Sequence, residues 1–154
     1  MDKLGKPRLE QQQEQRMTFR LLSYWQRARG DKKFPSLAEV DISQISEVYH
    51  FTFTIELGEN EEEHRFVYFG PALSSQFGED YTGMALSDAV QDQIVNNTIG
   101  FYQKVLDERK PCSESAEFFM NGKEVRYRSI ILPLSEDGET IDFLFGTANY
   151  KIFD

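Results

Sequence analysis

The sequence predicts one α+β domain: an antiparallel sheet with helices on one face, plus an extra amphipathic helix at its N-terminal end. Its 154 residues suit a single hydrophobic core. With 13 Phe, 7 Tyr and 1 Trp it carries far more aromatic surface than a disordered chain. Apolar segments that alternate, separated by short turns, occupy both ends of the chain, and helical periodicity lies between them.

Residues 1–15 are polar, Gln-rich and aperiodic, and are expected to stay flexible or to extend the helix that follows. Met17, Leu21, Trp25 and Ala28 then recur at helical spacing, with Leu22 beside them and Arg16, Arg20, Arg27 and Arg29 largely off the stripe. This predicts a helix over 16–29, stopped by Gly30, and a domain over 16–154. Asp41 ahead of Ile42 and Ile45 predicts a short capped turn near 41–47. From His50 to Leu57, Phe51, Phe53, Ile55 and Leu57 alternate with Thr52, Thr54 and Glu56, the pattern of a half-buried strand. A charged turn over 58–63 leads to a partner strand, 65–69, in which Phe66 and Tyr68 face away from Val67 and Phe69.

Pro71–Phe77 predicts about two turns of helix closed by Gly78. From Ser87 or Asp88, Val90, Ile94, Phe101 and Val105 share a face widened by Val95, Ile99, Tyr102 and Leu106, which predicts one long helix ended by Pro111. Three strands follow, 113–120, 123–134 and 140–153, the first two joined by Asn121-Gly122, a pair that accepts positive φ at both turn positions.

Charge and cysteine content exclude several functions. Residues 1–33 hold nine Lys/Arg against four Asp/Glu, net +5, and the remainder holds 8 basic and 22 acidic residues, net −14. An acidic body repels a phosphate backbone, so nucleic acid is not an expected partner. The basic arm complements the acidic body of its own or a sister subunit. No run approaches the roughly 18–20 apolar residues of a membrane span, and no apolar leader opens the chain, so a cytoplasmic protein is expected. One cysteine, Cys112, and two histidines, His50 and His64, cannot assemble a closed zinc cluster. His64, after Glu61, Glu62 and Glu63, reads as a solvated turn residue. Cys112 stands among Glu108, Glu114 and Glu117, which raise a thiol pKa and leave it inert.

Three stretches sharpen the fold: Tyr24-Trp25-Gln26-Arg27-Ala28-Arg29-Gly30 with Pro35 after it, Phe77-Gly78 followed by Thr82-Gly83, and Leu132-Pro133-Leu134 followed by Asp137-Gly138 and Gly146. Together with the element order, they resemble a family of short, stand-alone bacterial PAS proteins, over roughly 19–150. The first loop departs from that family, with Leu37 and Ile42 where it tends to carry Arg and Pro. The resemblance implies a PAS-like five-stranded sheet in the order 2-1-5-4-3 and a sensory or adaptor role. It further implies a homodimer and a signalling partner such as a histidine kinase. Covalently bonded flavin is not expected, because 78–87 contains no cysteine, and haem is not expected, because 88–110 contains no histidine.

Phe53, Ile55, Tyr127, Phe143 and Phe145, joined by Phe101 and Tyr102, are expected to line a cup. It is either fully packed or holds a small apolar ligand, with Thr147 and Asn149 as polar groups on the face of Phe143 and Phe145. Met17, Leu21, Trp25 and Ala28 form the candidate interface, so removing residues 1–30 is expected to leave a soluble monomer. The rival reading is a cone-shaped α+β enzyme or carrier that recruits Asp142 with Tyr127 as an acid/base pair.

Overall fold

Helix α1 (Lys6–Arg29) leads into 3₁₀ turns at Leu37–Glu39 and Ile42–Ile45 and the single turn α2 (Ser46–Tyr49), in a computed structural model that describes residues 6–154, with side chains from Met17 onward. Strands β1 (Thr52–Glu56) and β2 (Arg65–Phe69) follow, then α3 (Pro71–Phe77), α4 (Leu86–Ala89), α5 (Gln93–Ile99) and α6 (Tyr102–Glu108). Strands β3 (Cys112–Met120), β4 (Lys123–Leu134) and β5 (Phe143–Phe153) complete one antiparallel sheet in the expected order β2-β1-β5-β4-β3. Residues 1–5 of the polar tail lie outside the described residues, and from Lys6 the backbone is already helical. No helix among the described residues is long and apolar enough to cross a membrane.

Local chemistry sets the breaks. Asp41 accepts from Ser43 N at 3.0 Å and caps the turn after it. Gly78 closes α3 in the left-handed region, φ +82, its N–H on Ser74 O, and Asn121 and Gly122 turn the β3–β4 hairpin at φ +54 and +77.

Three expectations need correction. Strand β1 is buried on both faces, because the chain before it folds over the threonine side: Thr52 Oγ1 donates to Tyr49 O at 2.7 Å, and Tyr49 stacks on Tyr68, the residue opposite Thr54. A bulge at Thr54/Ile55 leaves Val67 without a partner, so Phe66 and Phe69 both turn inward instead of opposing one another. The long helix is three pieces: the Asp92 carboxylate caps α5 by accepting from Ile94 N and Val95 N, and Gly100 with Phe101 (φ −79, ψ +10) interrupts the turn before α6.

The sheet separates two apolar layers. Phe53, Ile55, Phe66, Leu73, Ile99, Val105, Ile131 and Leu144 pack between its inner face and helices α3–α6. Leu21, Tyr24 and Trp25 of α1 pack with Phe34, Ile45 and Val48 against Ile130, Leu132, Leu134 and Phe145 on the outer face. Two bonds fix the seam: Trp25 Nε1–H donates to Pro133 O at 2.7 Å, and Tyr24 Oη donates to Glu39 O at 3.1 Å while accepting from Asp41 N. The next loop joins in through Ser135 N to Pro35 O at 2.9 Å.

Ion pairs Arg20–Glu47, Lys32–Glu39 and Lys33–Glu139 link the basic arm to the acidic body of the same chain. Lys32 and the Ser36 N–H hold the Glu39 carboxyl down at about 2. Exposed pairs each contribute about 0–1 kcal/mol, whereas fully burying one Leu contributes about 1.5–3 kcal/mol, so the apolar seam holds the helix and the charges trim it. Leu21→Ala is accordingly expected to lower the unfolding free energy by about 2–5 kcal/mol, and Gln26→Ala, on the exposed side of the same helix, to change it by less than about 0.5 kcal/mol. Urea titration of both variants checks this, and equal small losses would contradict docking of α1 on its own sheet.

Candidate functional site

The residues expected at the cup divide between three places. Phe53 and Ile55 point inward and are fully buried, and Phe101 and Tyr102, at the break between α5 and α6, pack against the same cluster. Tyr127 shares that sheet face further along β4, its ring 6.0 Å from Phe118 and its hydroxyl donating to the Glu114 carboxylate. Burial, then that bond, pushes the Tyr127 hydroxyl pKa upward.

Phe143 and Phe145 point the other way, into the layer under α1. The register places Gly146 opposite Phe53 and Leu144 opposite Ile55, which turns the two phenylalanines outward with Thr147, whose hydroxyl donates to Phe51 O at 2.7 Å. Asn149 sits at the free edge of β5 beyond β1. Its Oδ1 accepts from Gln76 Nε2 at 2.9 Å, Gln76 Nε2 also donates to Tyr150 O at 2.8 Å, and Tyr150 Oη returns a bond to Gln76 O at 2.7 Å. Gln76 thus covers an otherwise open strand edge, a role the sequence reading did not assign.

Aromatic side chains occupy the cup centre. Phe53 meets Phe66 edge-on at 6.0 Å, Phe66 meets Phe69 at 5.4 Å, and Phe69 touches both Phe77 at 5.6 Å and Tyr81 at 5.2 Å. Such pairs add about 0.5–1.5 kcal/mol each beyond the area they bury. A Cβ placed on Gly146 would lie 2.3 Å from Ile130 O and 2.8 Å from Phe53 Cζ, so only glycine admits both neighbours there.

The four candidate interface residues belong to the outer layer. Leu21 and Trp25 are buried, and Met17 and Ala28 pack against the same cluster, all on their own sheet. Asp142 and Tyr127 are not brought together: Asp142 adjoins the Leu134–Phe143 pairing, seven residues from Tyr127 along β4, roughly 23 Å at the usual strand rise. The Cys112 thiol is buried, and desolvation ahead of Glu108 pushes its pKa up, as its sequence context implies. Among the described residues no three His, Cys, Asp or Glu side chains converge as metal ligands.

His64 is the residue most misjudged from sequence. It is buried against the inner layer rather than solvated, its Nδ1 accepts from Gly58 N at 3.0 Å, and its ring stands edge-on to Tyr102 at 5.9 Å. The 3₁₀ turn at Glu61–Glu63 folds the chain back to place it there, and Gly58 is required because a Cβ would meet Glu63 Cβ at 2.2 Å. With Nδ1 accepting, the neutral ring carries its proton on Nε2. Desolvation lowers the His64 pKa, against the pull of Glu61, Glu62 and Glu63.

The unfolded state therefore takes up a proton, near its ordinary pKa of about 6.5, that the folded state refuses, and stability is lost as pH falls from there toward the folded pKa. Urea midpoints of the native chain are expected to drop more steeply between pH 7 and 5 than those of His64→Gln. Parallel pH dependences for the two proteins would contradict a neutral, buried His64.

The PAS domain family model matches residues 13–149. No curated protein matches the chain. Among solved structures, the chain is similar to a variant of the fungal photoreceptor VVD, at 16% identity over 84% of this chain and 92% of that one, with a TM-score of 0.49. It is similar to a light-oxygen-voltage domain studied with a flavin analogue, at 9% identity over 71% and 83%, with a TM-score of 0.49. Similarity to the PAS domain of Bordetella pertussis BvgS is 12% identity over 71% and 84%, with a TM-score of 0.41.

Proposed function

The chain belongs to the PAS domain family, and on that footing we propose that it is a sensory or adaptor domain acting in signalling through association, with a second copy of itself and with a signalling protein such as a histidine kinase. The contacts of Phe53 with Phe66, and of Phe66 with Phe69, support a cup filled at that point by its own side chains, and so the adaptor form. The separation of Asp142 from Tyr127 removes the pair on which an enzymatic reading rested.

One observation carries the homodimer. Leu21, Trp25 and the rest of the expected interface stripe are committed to the sheet, yet Phe19, on the opposite side of α1, is 68% exposed. Beside it, α1 and the segment 44–48 enclose a groove of about 340 Å³ lined by Phe19, Tyr24, Ile45 and Val48 together with Arg20, Ser23, Arg27 and Gln44. A two-fold interface uses the same patch twice, and Phe19 of each copy, entering the groove of the other, satisfies that self-complementarity. Truncation then has a different consequence from the one expected of a free helix: removing residues 1–30 strips Ile130, Leu132, Leu134 and Phe145 of cover, and an insoluble product is expected in place of a soluble monomer.

Light scattering of the intact chain at tens of micromolar is expected to give twice the chain mass, and Phe19→Glu to halve it while the circular dichroism spectrum stays that of the native fold. A monomeric native chain, or a variant that stays dimeric, overturns the Phe19 contact.

A further inference from the structure

Positive charge gathers where α1 ends. Arg29 from its last turn, Lys33 from the loop after it, and Arg109 and Lys110 from the loop after α6 rim an open groove of about 600 Å³ whose accessible apolar wall is Leu22 and Pro111 and whose floor, Trp25 and Phe34, is buried. The two guanidinium groups lie over rings of that floor, Arg29 at 5.5 Å from Trp25 and Arg109 at 5.2 Å from Phe34. Arg29 is pinned by donation to Lys32 O at 3.1 Å, and Arg109 by donation to Glu139 O at 2.5 Å.

The charges are not used up. Arg29 Nε is buried without a hydrogen-bond partner among the described residues. Lys33 shares the Glu139 carboxylate at 3.1 Å and Lys110 stands 3.7 Å from Glu108, but these side chains remain 64% and 65% exposed, so both pairs are weak and exchangeable. Beyond residue 33 the chain holds only 8 basic residues against 22 acidic ones, and two of those 8 are at this groove. An acidic partner is repelled by most of the body and drawn to places where basic residues gather, as four do here. A small molecule would leave much of itself in water in so open a trough, whereas an extended peptide can lie along it.

We propose that the groove takes an acidic segment of a partner protein, in which carboxylates flank one large apolar side chain. The apolar side chain lies on Leu22 and Pro111, and the carboxylates pair with Lys33 and Lys110 beside the guanidinium groups of Arg29 and Arg109. This assignment rests on the association reading above and supplies the chemistry of the partner that reading leaves open.

The test uses the full chain and a fluorescein-labelled peptide, Gly-Glu-Asp-Trp-Asp-Glu-Gly, followed by anisotropy. Saturable binding is expected, weakened about tenfold or more by the double substitution Lys33→Glu and Lys110→Glu, by replacing the peptide Trp with Ala, and by raising salt from 50 to 500 mM. Both lysines are exposed, so an unchanged melting temperature certifies the double variant's fold. Absent binding, or binding indifferent to the two lysines, overturns the proposal. So does inorganic pyrophosphate that competes as strongly as the peptide, the mark of a small-anion site. A lysine-dependent doubling of mass without peptide overturns it in favour of a second copy. Loss of peptide binding with the Phe19 dimer intact defeats this groove alone, and the converse result defeats only the dimer.

Discussion

A sheet that is apolar on both sides must be roofed on both, and the rest of this structure follows from how that is done. Helices α3–α6 cover the inner face, as the pattern of the central segment requires. The outer face, with Ile130, Leu132, Leu134 and Phe145, is covered by α1, which reaches it from the far end of the sequence. Trp25 makes that docking specific as well as favourable: its ring is buried, and its indole N–H satisfies the Pro133 carbonyl. The loop from Pro35 to Tyr49 is laid down between these elements and inherits its path from them, through Tyr24 at Glu39 and Asp41 and through Ser135 at Pro35.

Much of this could be read from residue types, and what could not has physical causes. The stripe of α1, the Asp41 cap, the Gly78 stop and the Asn121-Gly122 turn each depend on nearby residues alone, and each stands where its chemistry puts it. The phase of β5 depends on a distant partner. Phe143, Phe145 and Thr147 on one side and Leu144, Gly146 and Ala148 on the other are both acceptable core sets, and periodicity cannot choose between them. Gly146 was the available signal, since a glycine in a central strand marks the close approach of another group, here the ring of Phe53. The bulge that turns Phe69 inward and the Gly100 break left only faint traces in the apolar pattern. His64 was obscured by its acidic neighbours, although the glycine six residues before it, pressed against Glu63, hinted at a chain that doubles back.

The same covering of the sheet decides which surfaces remain for partners. Because the stripe of α1 is spent on its own domain, what the helix offers outward is its other side: Phe19 near the middle and a basic margin at its C-terminal end. The arm's positive charge thus has two uses. Part of it, through Arg20 and Lys32, aligns the helix on an acidic body, and part, with Arg29 and Lys33, joins Arg109 and Lys110 across the seam. Helix docking and the basic groove are consequences of one packing decision, since the groove has a floor only while Trp25 is seated.

Trp25 is the only tryptophan in the chain, so its fluorescence reports that seating directly. With the helix docked, emission of the intact native protein should be blue-shifted and shielded from acrylamide, and should move to the red and become quenchable only in the same transition that unfolds the sheet. Red-shifted, freely quenched emission from protein whose sheet is still folded would show α1 detached, and would contradict the account at its centre.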